Sequence, residues 1–316
     1  MLEESLHNLK EQFSWEPGIE NRDVLKASGQ VILCGMGGSR LASGFLKMIR
    51  PDLNLRTWND YGLPAEALAK EGLPRDTFVI VDSYSGTTEE AIDNFRSARA
   101  EGFLAAVIAS GGELVDLAKK GGMPYVILPP NVHPRIAAGY ALKALLALLG
   151  DISNKDAVGK LVEFFYADQF ESAGKAIAES IKGVPVIYSS RANCHLAEHW
   201  KISFNETSKS PAFYNVLPEL AHNELAGILE GAPMDFILLR DPSDHERIQV
   251  KMEALESILK LKGYSPQKVS LPSSSVFLKI FTSFALANWT SLHLAKLRGI
   301  SPDDQGAIEE FKKTVK

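Results

Sequence analysis

Two loops combine residue types that hold anions with places in the chain that would present them outward. Gly35-Met36-Gly37-Gly38-Ser39 follows the apolar run Val31–Cys34 and precedes a helical pattern from Leu41 to Ile49. Glycines between a buried strand and a helix let the backbone turn sharply, and they let amide N–H groups approach a negative ligand at the helix's positive end. The segment falls short of the dinucleotide fingerprint because Arg40 stands where a third glycine belongs, although Asp60 further on could serve as a ribose-binding acid. A tight turn with packing glycines is the plainer alternative.

The second loop, Ser83-Tyr84-Ser85-Gly86-Thr87-Thr88-Glu89, also joins a strand to a helix, and it gathers four Ser/Thr hydroxyls and a glycine at the helix N-terminus. One hydroxyl is expected to cap the helix, which leaves three beyond that need. Hydroxyls and exposed N–H groups could hold a phosphate without a lysine, since the helix end itself supplies positive potential. A Ser/Thr-rich cap is again the bland reading. His195-Leu196-Ala197-Glu198-His199 fits an inverted zinc motif. A catalytic zinc requires a third protein ligand. No later cluster stands out as that ligand, so neither metal nor cofactor is expected.

The elements that must position these residues follow an α/β grammar. In the first half, Val31–Cys34, Leu55–Trp58, Phe78–Asp82, Leu104–Ala109 and Tyr125–Leu128 read as strands apolar on both faces, alternating with helical patterns and closing on an apolar helix over Ile136–Leu149. The polar stretch Asp151–Asp156 marks a boundary, giving domains over 1–152 and 153–316. The grammar then restarts with strands at Val184–Ser189, Phe236–Arg240 and Gln267–Leu271, and with helices at Asn193–Asn205, Glu246–Leu261, Val276–Leu297 and Ile308–Lys313. The expectation is an α/β protein of two domains, each a parallel sheet flanked by helices.

Composition narrows the function classes. With 45% hydrophobic and 23% charged residues over 316 positions, the chain can bury large cores and is not disordered. A net charge of −5 argues against general nucleic-acid binding. Two cysteines, Cys34 and Cys194, form no disulfide framework and suit a reducing cytosol. Met1–Phe13 lacks the apolar centre of a secretory leader, and Val276–Ala287, interrupted by Lys279, falls short of a membrane span. No membrane or nucleic-acid partner is expected.

The GMGGS and SYSGTTEE loops resemble the sugar-isomerase (SIS) domain, and from Gly35 to Lys312 the chain is similar to the bifunctional phosphoglucose/phosphomannose isomerases of archaea and bacteria. The resemblance implies two SIS domains and, in the first, phosphosugar contacts from Gly38, Ser39, Ser83, Ser85 and Thr88. Pro134-Arg135-Ile136-Ala137 is similar to the family's PRxA, which implies substrate binding by Arg135. Phe204-Asn205-Glu206-Thr207-Ser208-Lys209 resembles FNENxK, which implies that Glu206 carries a proton between C1 and C2. Leu217-Pro218-Glu219-Leu220-Ala221-His222-Asn223 resembles LPExxHN, which makes His222 the ring-opening group, delivered across the interface of a homodimer. Histidine suits that task, since its unperturbed pKa of about 6.5 lets it take and give a proton near neutrality. The ending Arg298-Gly299-Ile300-Ser301-Pro302 … Ile308-Glu309-Glu310-Phe311-Lys312 resembles RGxxP … I-x-x-[LF]-K, which implies that Lys312 lines the site and stabilises oxyanion charge or assists proton transfer.

The implied activity is aldose–ketose isomerisation through an enediol, interconverting glucose 6-phosphate with fructose 6-phosphate. Gln305, where dual-specificity relatives can carry threonine, leaves mannose 6-phosphate open as a second substrate. Arg40 and Thr87 also depart from the family pattern. The rival reading is a non-catalytic SIS-domain regulator, which would keep residues 83–88 but has no need of Glu206, His222 and Lys312 together. A nicotinamide enzyme would leave the hydroxyl loop unexplained.

Overall fold

The computed structural model describes residues 1–63, 74, 76–304 and 306–315. The chain divides into two compact units, Asn8–Phe165 and Met1–His7 with Tyr166–Lys316. The expected boundary at 152/153 lies at the start of the helix Ile152–Gly159, within the first of these.

In the first unit, β1 (Val31–Gly35), β2 (Leu55–Trp58), β3 (Phe78–Asp82), β4 (Leu104–Ala109) and β5 (Tyr125–Ile127) form one sheet in the order β2-β1-β3-β4-β5. All neighbours are parallel. β1 and β3 are buried at every residue, which is why their runs read as unbroken apolar segments. β2 departs from that expectation: as an edge strand its four residues are only half-buried. The strand order reverses between β1 and β3, and the register pairs Gly35 with Asp82. The loops leaving those two strands therefore start level and side by side, at the topological switch point where open α/β sheets bind ligands.

The second unit repeats the plan with β6 (Val184–Ser190), β7 (Phe213–Leu217), β8 (Met234–Arg240) and β9 (Gln267–Ser270), parallel throughout in the order β7-β6-β8-β9. Its sheet has four strands rather than the three expected from sequence. The additional one, β7, lies at the edge, where exposed Phe213 and Tyr214 and the polar Asn215 break the buried pattern. The apolar helix expected over 136–149 is divided into a 3-10 turn at Pro134–Ile136 and a helix at Ala138–Leu148.

Several buried polar groups in both cores are paired. Lys143 is fully buried, and its ammonium donates to Phe13 O at 2.6 Å and to Glu16 Oε1 at 2.9 Å. In the second unit the 22-residue helix Val276–Leu297 is buried from Ile280 to Ala295 save for half-buried His293, and Asn288, Thr290 and Ser291 turn their side chains back to carbonyls of their own helix. Among the described residues no helix is long and apolar enough to cross a membrane.

The helix Glu171–Ser180 lies against Val276–Leu297 through Gly174, where an added Cβ would stand 2.6 Å from Trp289 Cβ and 2.9 Å from the Thr290 nitrogen. Gly174→Ala is expected to push the two helices apart and to lower stability by about 1–3 kcal/mol, the usual cost of overpacking. Urea denaturation checks this, and an unchanged midpoint would mean that the contact is slack.

Candidate functional site

The glycine loop folds as a 3-10 turn over Gly37–Arg40 that runs straight into the helix Leu41–Ile49. Gly37 takes φ +51°, a left-handed conformation that favours glycine. A Cβ on Gly38 would meet Pro134 O at 3.7 Å and Arg135 Cα at 3.9 Å. The glycine loop thus lies against the turn that carries Arg135, two segments nearly a hundred residues apart. Arg135 is 7% exposed, and its backbone N–H donates to His133 Nδ1 at 3.3 Å, which fixes the start of that turn.

The hydroxyl loop is held from beneath by backbone. Gly86 has φ +67°, and a Cβ there would sit 1.8 Å from Gly111 O. Gly112, at φ +77°, meets the loop in return, with Ser85 O 2.5 Å from where its own Cβ would be. Ser110 Oγ donates to Tyr84 O at 2.7 Å, and the Tyr84 phenol donates to Pro129 O at 2.7 Å. Gly111 and Gly112 were not singled out from sequence, because a glycine's need for close approach depends on a distant segment.

The hydroxyls then pair with one another. Ser83 Oγ and Thr88 Oγ1 are 2.9 Å apart, and Ser85 Oγ accepts from Thr87 Oγ1 at 3.1 Å and from the Thr87 N–H at 3.3 Å. Thr88 occupies the N-cap of the helix Glu89–Ala100 but makes no capping hydrogen bond with its side chain. The expectation that capping would consume one hydroxyl is therefore corrected: the Ser83–Thr88 pair replaces it. Across the switch point, the Tyr84 N–H donates to Ser39 Oγ at 3.1 Å and ties the two loops together. Five of the residues singled out, Gly38, Ser39, Ser83, Ser85 and Thr88, thus belong to one frame, with Arg135 at its side. That frame can bind an anion through hydroxyls, N–H groups and a helix N-terminus.

In the second unit Glu206 is the last residue of the helix Cys194–Glu206 and is half-buried. The turn after it is closely tied. Ser208 Oγ donates to Phe204 O at 2.8 Å, Asn205 Nδ2 to Ser210 O at 3.1 Å, and Ser208 and Ser210 hydroxyls meet at 2.9 Å. Lys209, at φ +51°, reaches the carbonyls of Glu206 and Asp304. Arg298 Nη1 donates to Ser210 Oγ. The 204–210 segment and the start of the 298–312 ending, far apart in sequence, are one structure.

His222 is exposed at the end of a 3-10 turn, Glu219–His222, that follows β7 and is anchored by buried Leu220. Lys312 is exposed on the helix Gly306–Thr314, with Lys313 beside it. Gln305 lies outside the described residues. His199 of the HxxEH segment is a core residue: its Nε2 meets Ser203 Oγ at 3.2 Å and Asn288 Nδ2 at 3.3 Å, its ring stacks on Phe284, and burial pushes its pKa down to about 3. His195 instead pairs with Glu198 at 3.6 Å. The two histidines thus serve different environments, and among the described residues no group of three or more His, Cys, Asp or Glu is arranged to hold a metal.

Comparison with known proteins decides the family. The chain is 33% identical to the bifunctional phosphoglucose/phosphomannose isomerase of Aquifex aeolicus, over 96% of this chain and 95% of that one. The chain belongs to the bifunctional phosphoglucose/phosphomannose isomerase family. It is also 30% identical to the relative of that name from Caldicellulosiruptor bescii, over 98% and 97% of the two chains. Residues 170–315 match the bacterial phospho-glucose isomerase C-terminal SIS domain. In fold, the chain is similar to the C-terminal domain of glucosamine-fructose-6-phosphate aminotransferase from Francisella tularensis, with a TM-score of 0.72 at 14% identity over 96% of each chain. As a member of an isomerase family, the chain is an enzyme, and the α/β fold of two parallel sheets is that of SIS domains.

Gly86→Ala tests the support of the hydroxyl loop. The left-handed backbone and the clash with Gly111 O together are expected to cost about 2 kcal/mol or more. Loss of that size appears as a lower urea midpoint; a variant as stable as the parent would show that the loop does not rest on Gly111.

Proposed function

We propose that this isomerase interconverts glucose 6-phosphate and fructose 6-phosphate through an enediol, by proton transfer between C1 and C2. The observation that carries the reading is the frame formed by Ser39 and the Ser83–Thr88 loop at the switch point of the first sheet, which offers a dianionic ester several donors and a helix N-terminus. The phosphate sits on Gly38, Ser39, Ser83, Ser85 and Thr88, and Arg135 adds fixed positive charge beside it. His222 opens the ring by moving a proton from the anomeric hydroxyl to the ring oxygen. Glu206 then removes the C2 proton of the open aldose and returns it to C1, while Lys312 or Arg135 steadies the enediolate oxygen. No cofactor enters this scheme, because the reaction only relocates protons and an electron pair within one substrate.

The exposed position of His222 supports a homodimer in which each chain lends this histidine to its partner's site. A cytosolic setting accords with free thiols at Cys34 and Cys194. Mannose 6-phosphate is the second substrate to assay. A coupled assay with both hexose phosphates side by side measures the scope directly. A non-catalytic sensor would bind these esters and turn over neither.

Glu206→Gln is expected to leave phosphosugar binding nearly intact and to lower kcat by ~10²-fold or more, the low end for loss of a general acid–base. Undiminished turnover would remove Glu206 as the proton carrier. Mixing Glu206→Gln chains with His222→Ala chains tests the shared site. In a mixed dimer one site combines both lesions and the other has neither, so activity should return well above either parent variant; no recovery would place both residues within one chain.

A further inference from the structure

Beneath the two loops lies an acid that the isomerisation scheme does not use. Asp82 ends β3 and is 1% exposed; among the described residues neither of its carboxylate oxygens makes a well-formed hydrogen bond, although the Ser39 hydroxyl is near enough to act on it. A buried ionised carboxylate without partners is costly, and it is more so beneath a site for a dianion. Asp82 shares a cavity of about 10 Å³, far too small for a sugar, with Gly38, Ser39, Tyr84, Leu128 and Pro134. Of these, only Ser39 and Tyr84 have side-chain hydroxyls. The Tyr84 hydroxyl is already engaged with Pro129 O, and the Ser39 hydroxyl already accepts the Tyr84 N–H.

A serine hydroxyl has two acceptor lone pairs and one proton. With one lone pair taken by the Tyr84 N–H, the state of Asp82 decides where the Ser39 proton goes. We propose that Asp82 is a positioning residue: as the neutral acid it donates to the second lone pair of Ser39 Oγ and thereby commits the Ser39 proton to the phosphate of a bound sugar ester. If Asp82 ionises, it becomes an acceptor, the Ser39 proton turns inward to it, and the phosphate loses a donor and gains a negative neighbour. The inference rests on the phosphosugar reading of the two loops.

The surroundings favour the neutral acid. Burial raises the Asp82 pKa to about 8, opposed only by the Ser39 hydroxyl. Facing the cavity are Gly38 and Ser39 from the turn after β1, Leu128 from the end of β5, and Pro134 and three alanines from the turn and helix beyond. Tyr84, from Asp82's own loop, is the one other titratable group on the wall, and burial raises its pKa as well. Arg40 and Arg135 belong to the adjoining turns but do not line the cavity. The sign follows: a ligand that prefers the protonated form binds well below the Asp82 pKa and progressively less well above it.

Calorimetric titration of the full chain with fructose 6-phosphate between pH 7 and pH 9 provides the test, since the ester is already a dianion across that range. If only the protonated form binds, a midpoint of about 8 weakens affinity about tenfold over those two pH units, with net proton uptake on binding at pH 8. Asp82→Asn, whose amide always donates, should bind at pH 9 about as tightly as the parent does at pH 7 and show no such slope. Ser39→Ala should bind more weakly at every pH and also lose the slope, because the relay has no hydroxyl to turn. A parent affinity that is flat from pH 7 to pH 9, or a slope that survives in Asp82→Asn or Ser39→Ala, would overturn the proposal. Failure to bind the ester at any pH would instead overturn the phosphosugar reading on which it stands.

Discussion

The hydrogen bond from the Tyr84 N–H to Ser39 Oγ is the stitch on which the arrangement of the first unit depends. It joins loops that leave β1 and β3, the strands between which the order of the sheet reverses. Level registration of Gly35 with Asp82 brings the loops side by side, and left-handed Gly37 and Gly86 let each turn tightly enough to meet the other. Backbone from Gly111 and Gly112 leaves the hydroxyl loop no room to sink. As the anion site proposed above, this frame owes little to long side chains. Its donors are short, and the entropy of ordering them is met by folding rather than at the moment of binding.

How legible this was in the sequence depended on whether a residue's role is local. β1, β3 and β4 announced themselves because burial on both faces selects continuous apolar runs. β7 did not, because an edge strand carries Phe213, Tyr214 and Asn215 partly in the open and looks like loop. The hydroxyl loop was visible as a surplus of hydroxyls, yet the Ser83–Thr88 pairing that displaces a side-chain cap was not, because a cap is what local propensity favours. His195 and His199 show the same limit. Their spacing suits a shared ligand, but the core around Phe284 and Asn288 claims one ring and leaves the other to Glu198.

Glu206, His222 and Lys312 were a different case. Nothing in their local sequence separates them from solvated charges, and only family resemblance singled them out. The structure adds one thing that neither composition nor spacing reveals: Arg298 and Lys209 bind the turn after Glu206 to the beginning of the C-terminal segment. The segment that carries Lys312 is therefore anchored by the same turn that ends the helix of Glu206. Two motifs nearly a hundred residues apart are physically one unit.

The two sheets share the order of their first four strands, and each carries a buried acid near its switch point. Asp241 follows β8, the counterpart in strand order of β3, which ends on Asp82, but the two acids are handled differently. Burial works against the charge of Asp241, yet Lys279 at 2.5 Å, with Ser243 and Asn193, holds its pKa below the usual carboxylate range. That carboxylate is held toward its charged form, and the cleft beside it, about 270 Å³, is lined by Asp241 and Asp244 and also by Arg240 and Lys268. Among the described residues no cation lines the cavity beside Asp82. A buried acid paired with a lysine keeps its charge, whereas one beside only a serine is pressed toward neutrality. The same residue type near the strand ends is thus held charged in one sheet and pressed toward the neutral acid in the other.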